Sequence, residues 1–207
     1  FASGSFEVDE KMGNNPDEIG RIKDNLMSLM QNEKFDLDSI VVTSSASPEG
    51  TVKFNERLSQ KRSEGISEYF SKWMNHYQDS LERERGFAVD EVGNIIIEKR
   101  TQIPMMGRSS GENWQMLDHL VERDTVMTED EKKSYISSAN IKDIDQRERS
   151  LQSLGCYRHM REKLYPHLRT VRFDFHLHRK GMVKDTVHTT VLDSTYMNGV
   201  QAIRDRD

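Results

Sequence analysis

The residues best placed to do chemistry lie on either side of a serine- and proline-rich bend. Segment 44–50 reads SSASPEG, and Asn55 and Arg62 follow it in a stretch with helical periodicity. Because they are seven residues apart, their side chains project from one face of a helix, two turns apart. A guanidinium forms bidentate pairs with carboxylates, so this arrangement predicts a small cradle for a negatively charged group.

Other reactive side chains give weaker indications of a site. Cys156 is the single cysteine, which excludes an internal disulfide and a two-cysteine zinc or redox site. Arg158 and His159 could lower the pKa of its thiol, but we favour an ordinary core cysteine. The sequence has no nucleophile-elbow, zinc-protease, phosphate-loop or dinucleotide motif. We therefore expect a non-catalytic protein that needs no cofactor.

Three histidines form the one candidate metal site. His176 and His178 lie two residues apart on one face of a predicted strand, and His188 would lie opposite if the chain returns as a hairpin. Three imidazoles are a ligand set for zinc or nickel. The alternative is a solvated strand face, and because no cysteine lies nearby we predict no metal site.

The charge of the chain restricts its partners. Its 30 Lys and Arg residues and 35 Asp and Glu residues give a net charge of −5, which argues against a general nucleic-acid binder. No apolar run approaches the ~20 residues of a membrane-spanning helix, so we expect no membrane span. The segment 142–184 instead has an excess of Lys and Arg. Such an excess is typical of a solvated helix face with pairs such as Arg158–Glu162, or of a surface that meets an anionic polymer.

Helical and strand patterns alternate through the first half of the chain. A period of three to four residues predicts a first helix ending near Asn32 and a longer helix through Tyr77. β-Branched or alternating runs predict strands at 5–8, 37–43 and 94–98. The bend at 44–50 separates the second of these strands from the long helix.

The second half begins with a predicted Met/Gly/Ser loop at 104–111 and then becomes helical. A capping-box spacing at Thr128 starts one of these helices, and alternation predicts a strand at 169–178 with a hairpin partner at 182–192. Asp193 or Ser194 would cap a last helix. The predicted fold class is α/β, an α+β sandwich with helices packed on one face of a mixed sheet and a helical insertion before the last strands.

Residues 40–70 resemble the core of the OmpA-like (OmpA C-terminal, MotB-related) domain family. The likeness rests on a loop glycine and the helix pattern N-x-x-L-S-x-x-R, carried by Gly50, Asn55, Leu58, Ser59 and Arg62. It extends over about residues 5–100 and is similar to the form found in Bacteroidetes envelope proteins. The helical stretch 111–168 resembles an insertion of that subgroup.

The resemblance implies a domain organisation. Residues 1–100 would form the first part of the OmpA-like domain, a β-α-β-α-β unit, and 101–168 the helical insertion. Residues 169–192 would supply the closing strand or hairpin, and 193–207 the start of a further helical region. We expect the sequence to be part of a longer chain.

The resemblance also implies a function. The family binds the diaminopimelate unit of peptidoglycan between the loop and the long helix, in the periplasm or at the outer membrane. Arg62 matches the arginine that binds the ligand carboxylate, and Asn55 would hold the loop. Ser47 occupies the position of the family's aspartate, so Glu49 would have to supply the charge for the ligand ammonium. The expected partner is peptidoglycan or an envelope protein, with the oligomeric state open.

Each of these assignments has an alternative. A serine hydroxyl does not neutralise an ammonium. Ser47 therefore also fits a periplasmic protein–protein interaction scaffold whose peptidoglycan site has degenerated. Arg62 is alternatively a structural arginine that bonds main-chain carbonyls or Glu49, and Asn55 a structural residue that fixes the loop.

Overall fold

A three-stranded mixed sheet organises the computed structural model, which describes residues 1–85, 88–89, 95–96 and 102–182. The central strand β1 (Phe35–Ala46) pairs in parallel with β4 (Met105–Glu112) and antiparallel with β5 (Val171–Arg179). Two further strands, β2 (Ala88–Val89) and β3 (Ile95–Ile96), pair with each other and, among the described residues, with no other strand. The α+β fold class predicted from the sequence, with a mixed sheet, is confirmed.

Two helices cover one face of this sheet. They are α1 (Asn15–Met30) and the 34-residue α2 (Val52–Arg85). Ile40 and Val42 of β1 are fully buried beneath Phe70 of α2, and Phe173 packs edge-to-face against the Phe70 ring. The opposite face is polar, because the alternate residues of β5 include Arg172 and His176. We call α1, α2 and the three paired strands the sheet region.

The strand β4 occupies the segment in which we predicted a loop, 104–111. Its Gly107 lies so close to α2 that an added Cβ would stand 2.8 Å from the main chain of Ser63 and Glu64. Glycine and serine are poor strand formers, but here they permit close packing of helix on strand. The prediction of a helical insertion over 101–168 is therefore corrected: its first part is a strand, and helix begins at Trp114.

Two other predicted elements differ in the structure, and two more are not among the described residues. Residues 5–8 form no strand, so the β-α-β-α-β core predicted for 1–100 is wrong; β1 and β4, joined through α2, form the parallel pair instead. Of the strand predicted at 94–98, the structure describes Ile95–Ile96, which pairs outside the main sheet. The predicted hairpin partner at 182–192, after its first residue, and the final helix from 193 lie outside the described residues.

The helical region follows β4 and has its own core. It comprises α3 (Trp114–Arg123), α4 (Glu129–Ser138), α5 (Ile144–Leu151), α6 (Tyr157–His159), a π-helical turn (Met160–Leu164) and a 3-10 turn (Tyr165–Leu168). The predicted capping box starts α4. The Thr128 hydroxyl accepts a hydrogen bond from the main-chain N–H of Glu131, and the Glu131 carboxylate accepts one from the main-chain N–H of Thr128. None of the described helices combines the length and apolarity needed to cross a membrane.

Candidate binding site

The loop after β1 places a carboxylate beside two arginines from distant parts of the chain. Strand β1 runs to Ala46, so the loop itself is residues 47–51, and Gly50 adopts a φ of +101°, which favours glycine. Glu49 accepts hydrogen bonds from Arg161 Nε at 2.9 Å and from Arg169 Nη2 at 2.7 Å. Burial alone would raise the pKa of Glu49, but these two guanidinium groups hold it below its usual value.

Ser47 belongs to the same network. Its hydroxyl donates to Glu49 Oε2 at 3.1 Å and accepts from Arg169 Nε at 3.2 Å. The Arg169 side chain is only 10% exposed, whereas that of Arg161 is 61% exposed. Arg169 therefore fixes the loop to the short segment between the 3-10 turn and β5, and Arg161 presents its remaining N–H groups to solvent.

A surface pocket of about 470 Å³ opens beside this network. Its lining comes from the N-terminal segment, the 47–51 loop, α6, the π-helical and 3-10 turns and the residue that follows them: Ser3, Glu49, Tyr157, Arg158, Arg161, Glu162, Pro166 and Arg169. We call it the arginine pocket. Arg158 is 87% exposed and pairs with Glu162 at 2.8 Å, as the sequence predicted. Three guanidinium groups and two carboxylates leave the lining with a net positive charge.

Asn55 supports the loop and does not line the pocket. It is 1% exposed, and its amide donates to Glu112 Oε1 at 2.6 Å, while Trp114 Nε1 donates to the other carboxylate oxygen at 2.8 Å. The first turn of α2 is fixed further by Asp145 of the helical region, which accepts from Val52 N–H at 2.9 Å. The position of Asn55 agrees with its alternative reading as a structural residue.

Arg62, the predicted anion contact, is 1% exposed and its donors are used within the protein. Its Nε donates to Ser5 O at 2.8 Å, its Nη2 to Ala2 O at 3.1 Å and its Nη1 to Ser45 O at 3.5 Å. Burial, with a smaller effect from the nearby Arg169, lowers the pKa of Arg62 to about 10. Residues 1–6 thus cover the guanidinium, and it does not face the arginine pocket.

The structure therefore brings together two of the four predicted site residues, Ser47 and Glu49. It adds Arg158, Arg161 and Arg169, which we had not assigned to a site. The available signal was the excess of Lys and Arg in 142–184. That signal gave the sign of the charge but not the three side chains that converge on the loop.

The remaining candidate residues have local structural roles. His178 bonds Asp38 at 2.6 Å, and within the described ranges no group of three potential ligands could hold a metal ion. His188 lies outside those ranges. Cys156 is buried, and burial, followed by the charge of Glu131, raises the pKa of its thiol instead of lowering it.

Comparisons with known proteins add no relative. No protein-family model, no curated protein and no solved structure matches this chain.

Proposed function

We propose that this chain is a non-catalytic, OmpA-like recognition domain of the bacterial cell envelope that binds the charged end of a peptidoglycan peptide in the periplasm. The arginine pocket carries the proposal. It places the ionised carboxylate of Glu49 and the exposed guanidinium of Arg161 on one wall of a concave surface. Arg62 supports the site from within as a structural residue.

The pocket has both charges that a zwitterionic amino-acid end requires. A ligand carboxylate would pair with Arg161 and Arg158, whose planar forks suit bidentate contact. A ligand ammonium would use Glu49 Oε1, which accepts from Arg161 and can accept a second hydrogen bond, because Oε2 already accepts from Ser3, Ser47 and Arg169. The volume of about 470 Å³ falls in the usual range for small-ligand pockets. It is large enough for the terminal residues of a stem peptide.

A binding role fits this lining better than catalysis. The charged groups of the pocket are already engaged in ion pairs, and the pKa of Glu49 is lowered, which makes it a poor proton donor at neutral pH. The one thiol of the chain is buried, with a raised pKa. Neither arrangement prepares an acid, base or nucleophile for reaction.

Calorimetric titration with a diaminopimelate-containing muropeptide tests the proposal. We expect Arg161→Ala to weaken binding about tenfold or more, equivalent to ~1.4 kcal/mol, because it removes a charge-assisted contact. Arg172→Ala is the matched control: Arg172 is 73% exposed on β5, pairs with Asp174 and does not line the pocket. Its affinity should equal that of the wild type.

Two modified probes separate the ligand's charges. Amidation of the muropeptide carboxylates should abolish the contribution of Arg161 to the affinity. Acetylation of the free ammonium should remove its ion pair with Glu49 and weaken binding. Absence of heat at millimolar wild-type protein and muropeptide would count against wall binding. Equal losses in the Arg161 and Arg172 variants would place the binding site elsewhere.

A second candidate function, a protein–protein interaction scaffold with a degenerate peptidoglycan site, is favoured by the surface of the helical region. Val126 is 69% exposed and Ile136 is 63% exposed, and Ile144 of α5 is 42% exposed. These side chains lie before α4, in α4 and in α5, and exposed apolar groups of this kind are available for contact with another protein. The scaffold function predicts that Ile136→Asp abolishes co-purification of an envelope protein while muropeptide produces no heat with the wild type.

A further inference from the structure

The outer edge of β4 offers main-chain groups to a further strand. β4 lies at the end of the sheet order β4-β1-β5, and no strand in the described parts of the chain pairs with its outer side. Ile40 N–H bonds Pro104 O at 3.0 Å, and Ile40 is in register with Met105. Since successive residues of a strand direct their main-chain groups to opposite sides, Met106 and Arg108 bond β1. The N–H and C=O groups of Gly107 and Ser109 therefore point outward.

A side chain already forms a hydrogen bond with one of these outward-facing main-chain groups. Gln60 of α2 donates from Nε2 to Gly107 O at 3.2 Å, and the same amide contacts Glu64 Oε1 at 2.8 Å. This contact confirms independently that the Gly107 carbonyl faces away from β1. The Gln60 amide supplies the donor that the N–H group of an added strand would otherwise supply, and so protects the edge.

A groove of about 650 Å³ runs along this edge, between α2 and the end of β4. Its lining consists of Glu56, Arg57, Gln60, Lys61, Ser109, Ser110 and Gly111. The β4 side of the groove is made of small residues, which lets another backbone approach closely. We call it the β4 groove, and it shares no lining residue with the arginine pocket.

The charges beside the groove select the kind of strand that fits. On the helix side the exposed cations Arg57 and Lys61 outnumber the one acidic lining residue, Glu56, and Arg108 is exposed on the opposite face of the sheet. Neither Arg57 nor Arg108 forms an ion pair with any residue in the described ranges. A strand added to β4 would direct alternate side chains toward these two faces. Acidic residues on either face would then meet a positive charge.

We propose that the β4 groove binds an extended, acidic peptide segment of a partner protein, which adds to the sheet as a strand beside β4. Main-chain hydrogen bonds to Gly107 and Ser109 would provide the register, and Arg57, Lys61 and Arg108 would provide the preference for acidic side chains. This surface is separate from the proposed peptidoglycan site, so either can fail without the other.

The probe is an acetylated octapeptide of alternating valine and glutamate, titrated into the complete chain and followed by amide NMR. We expect the largest shifts at Met105, Gly107 and Ser109, with saturation at submillimolar peptide. Two control peptides define the contact. A valine–lysine octapeptide should bind at least tenfold more weakly, and N-methylation of alternate amides in the acidic peptide, on the side that faces β4, should abolish binding.

Three protein variants test the roles of individual side chains. Lys61→Glu should weaken binding of the acidic peptide by about fivefold or more, whereas Lys72→Glu, an exposed residue three turns farther along α2, should leave it unchanged. Gln60→Ala should tighten binding two- to fivefold, because it removes the competitor for Gly107 O. Each variant is first compared with the wild type by thermal unfolding.

Several results would overturn the proposal. One is that the N-methylated peptide binds as tightly as the unmodified acidic peptide. Another is that the Lys61 and Lys72 variants lose the same amount of affinity, and a third is that the amide shifts are confined to residues away from β4. If sedimentation shows that the chain self-associates through β4 without added peptide, the occupant of the groove is a second copy of this chain and the peptide proposal is wrong. Absence of any shift at millimolar peptide would remove the groove as a docking surface.

Discussion

The sheet region and the helical region each bury one charged side chain, and they satisfy it in different ways. Arg62 is 1% exposed and donates to three main-chain carbonyls, two of them in residues 1–6. Glu148 is 2% exposed and accepts from the hydroxyls of Tyr157 and Tyr165, each at 2.9 Å. Among the described residues, neither forms an ion pair with a group of opposite charge, and both rely on neutral hydrogen-bonding groups.

The two environments have different consequences at neutral pH. Burial lowers the pKa of Arg62 to about 10, so the guanidinium stays charged. Burial raises the pKa of Glu148 to about 7 despite the tyrosine hydrogen bonds, which favour the ionised form. A similar degree of burial therefore makes Arg62 a permanent structural cation and Glu148 a group that titrates near neutrality.

The largest effect we expect comes from Arg62→Ala. The variant leaves the carbonyls of Ala2, Ser5 and Ser45 without this donor and opens a cavity beneath residues 1–6. We expect the free energy of unfolding to fall by about 3–5 kcal/mol, measured by urea denaturation at pH 7. Arg62→Lys keeps the charge but not the planar fork, and should lose about half as much. A loss below about 1 kcal/mol for Arg62→Ala would show that the guanidinium does not hold the N-terminal segment.

The second effect is a pH dependence from the helical region. Because the pKa of Glu148 is raised in the folded state, the folded protein binds more protons than the unfolded chain between about pH 4.5 and pH 7. The stabilising contribution is complete below pH 4.5 and is lost as the pH rises through 7. We expect the free energy of unfolding to fall by about 2–3 kcal/mol between pH 5 and pH 8.

Glu148→Gln provides the matched comparison. The amide has nearly the same shape and keeps hydrogen-bonding capacity toward the two tyrosines, but it does not titrate. Its stability should change little over the same pH range, apart from a residual slope from Glu112, whose pKa burial also raises. Glu162→Gln, on the exposed face of the π-helical turn, should keep the wild-type slope. A wild-type slope in Glu148→Gln would assign the pH dependence to another group.

Local patterns in the sequence predicted the elements that local forces determine. The β-branched run of β1, the apolar face of α2 and the Thr128 capping box all lie where their residues indicated. Strand β4 was missed because Gly107 and its serine neighbours have low strand propensity. They are held in a strand by contact with α2, and a tertiary contact of that kind leaves no periodic signal.

The residues of the candidate site were likewise predicted only where a local pattern in the sequence indicates them. Ser47 and Glu49 were found because they lie beside a recognisable bend, whereas Arg161 and Arg169 reach Glu49 from 112 and 120 residues farther along the chain. The sequence predicts Arg62 as a ligand contact because helical periodicity does not show which other segment covers that face of the helix. Residues 1–6 cover that face, and the alternation at 5–8 predicts a strand and not this contact with Arg62.

The smallest effect distinguishes the two tyrosines that hold Glu148. Tyr165 is fully buried, and its hydroxyl favours the ionised carboxylate, so Tyr165→Phe should raise the pKa of Glu148 further. The variant should therefore lose about 1 kcal/mol more stability at pH 8 than at pH 5. Tyr157→Phe should show the same sign with a smaller difference, because Tyr157 also lines the arginine pocket at the surface. Urea denaturation at the two pH values, with the carboxyl carbon of Glu148 followed by NMR, measures both quantities. Equal losses at pH 5 and pH 8 would mean that the Tyr165 hydroxyl bonds the carboxyl without favouring its ionised form, and the contrast between Arg62 and Glu148 would then rest on burial alone.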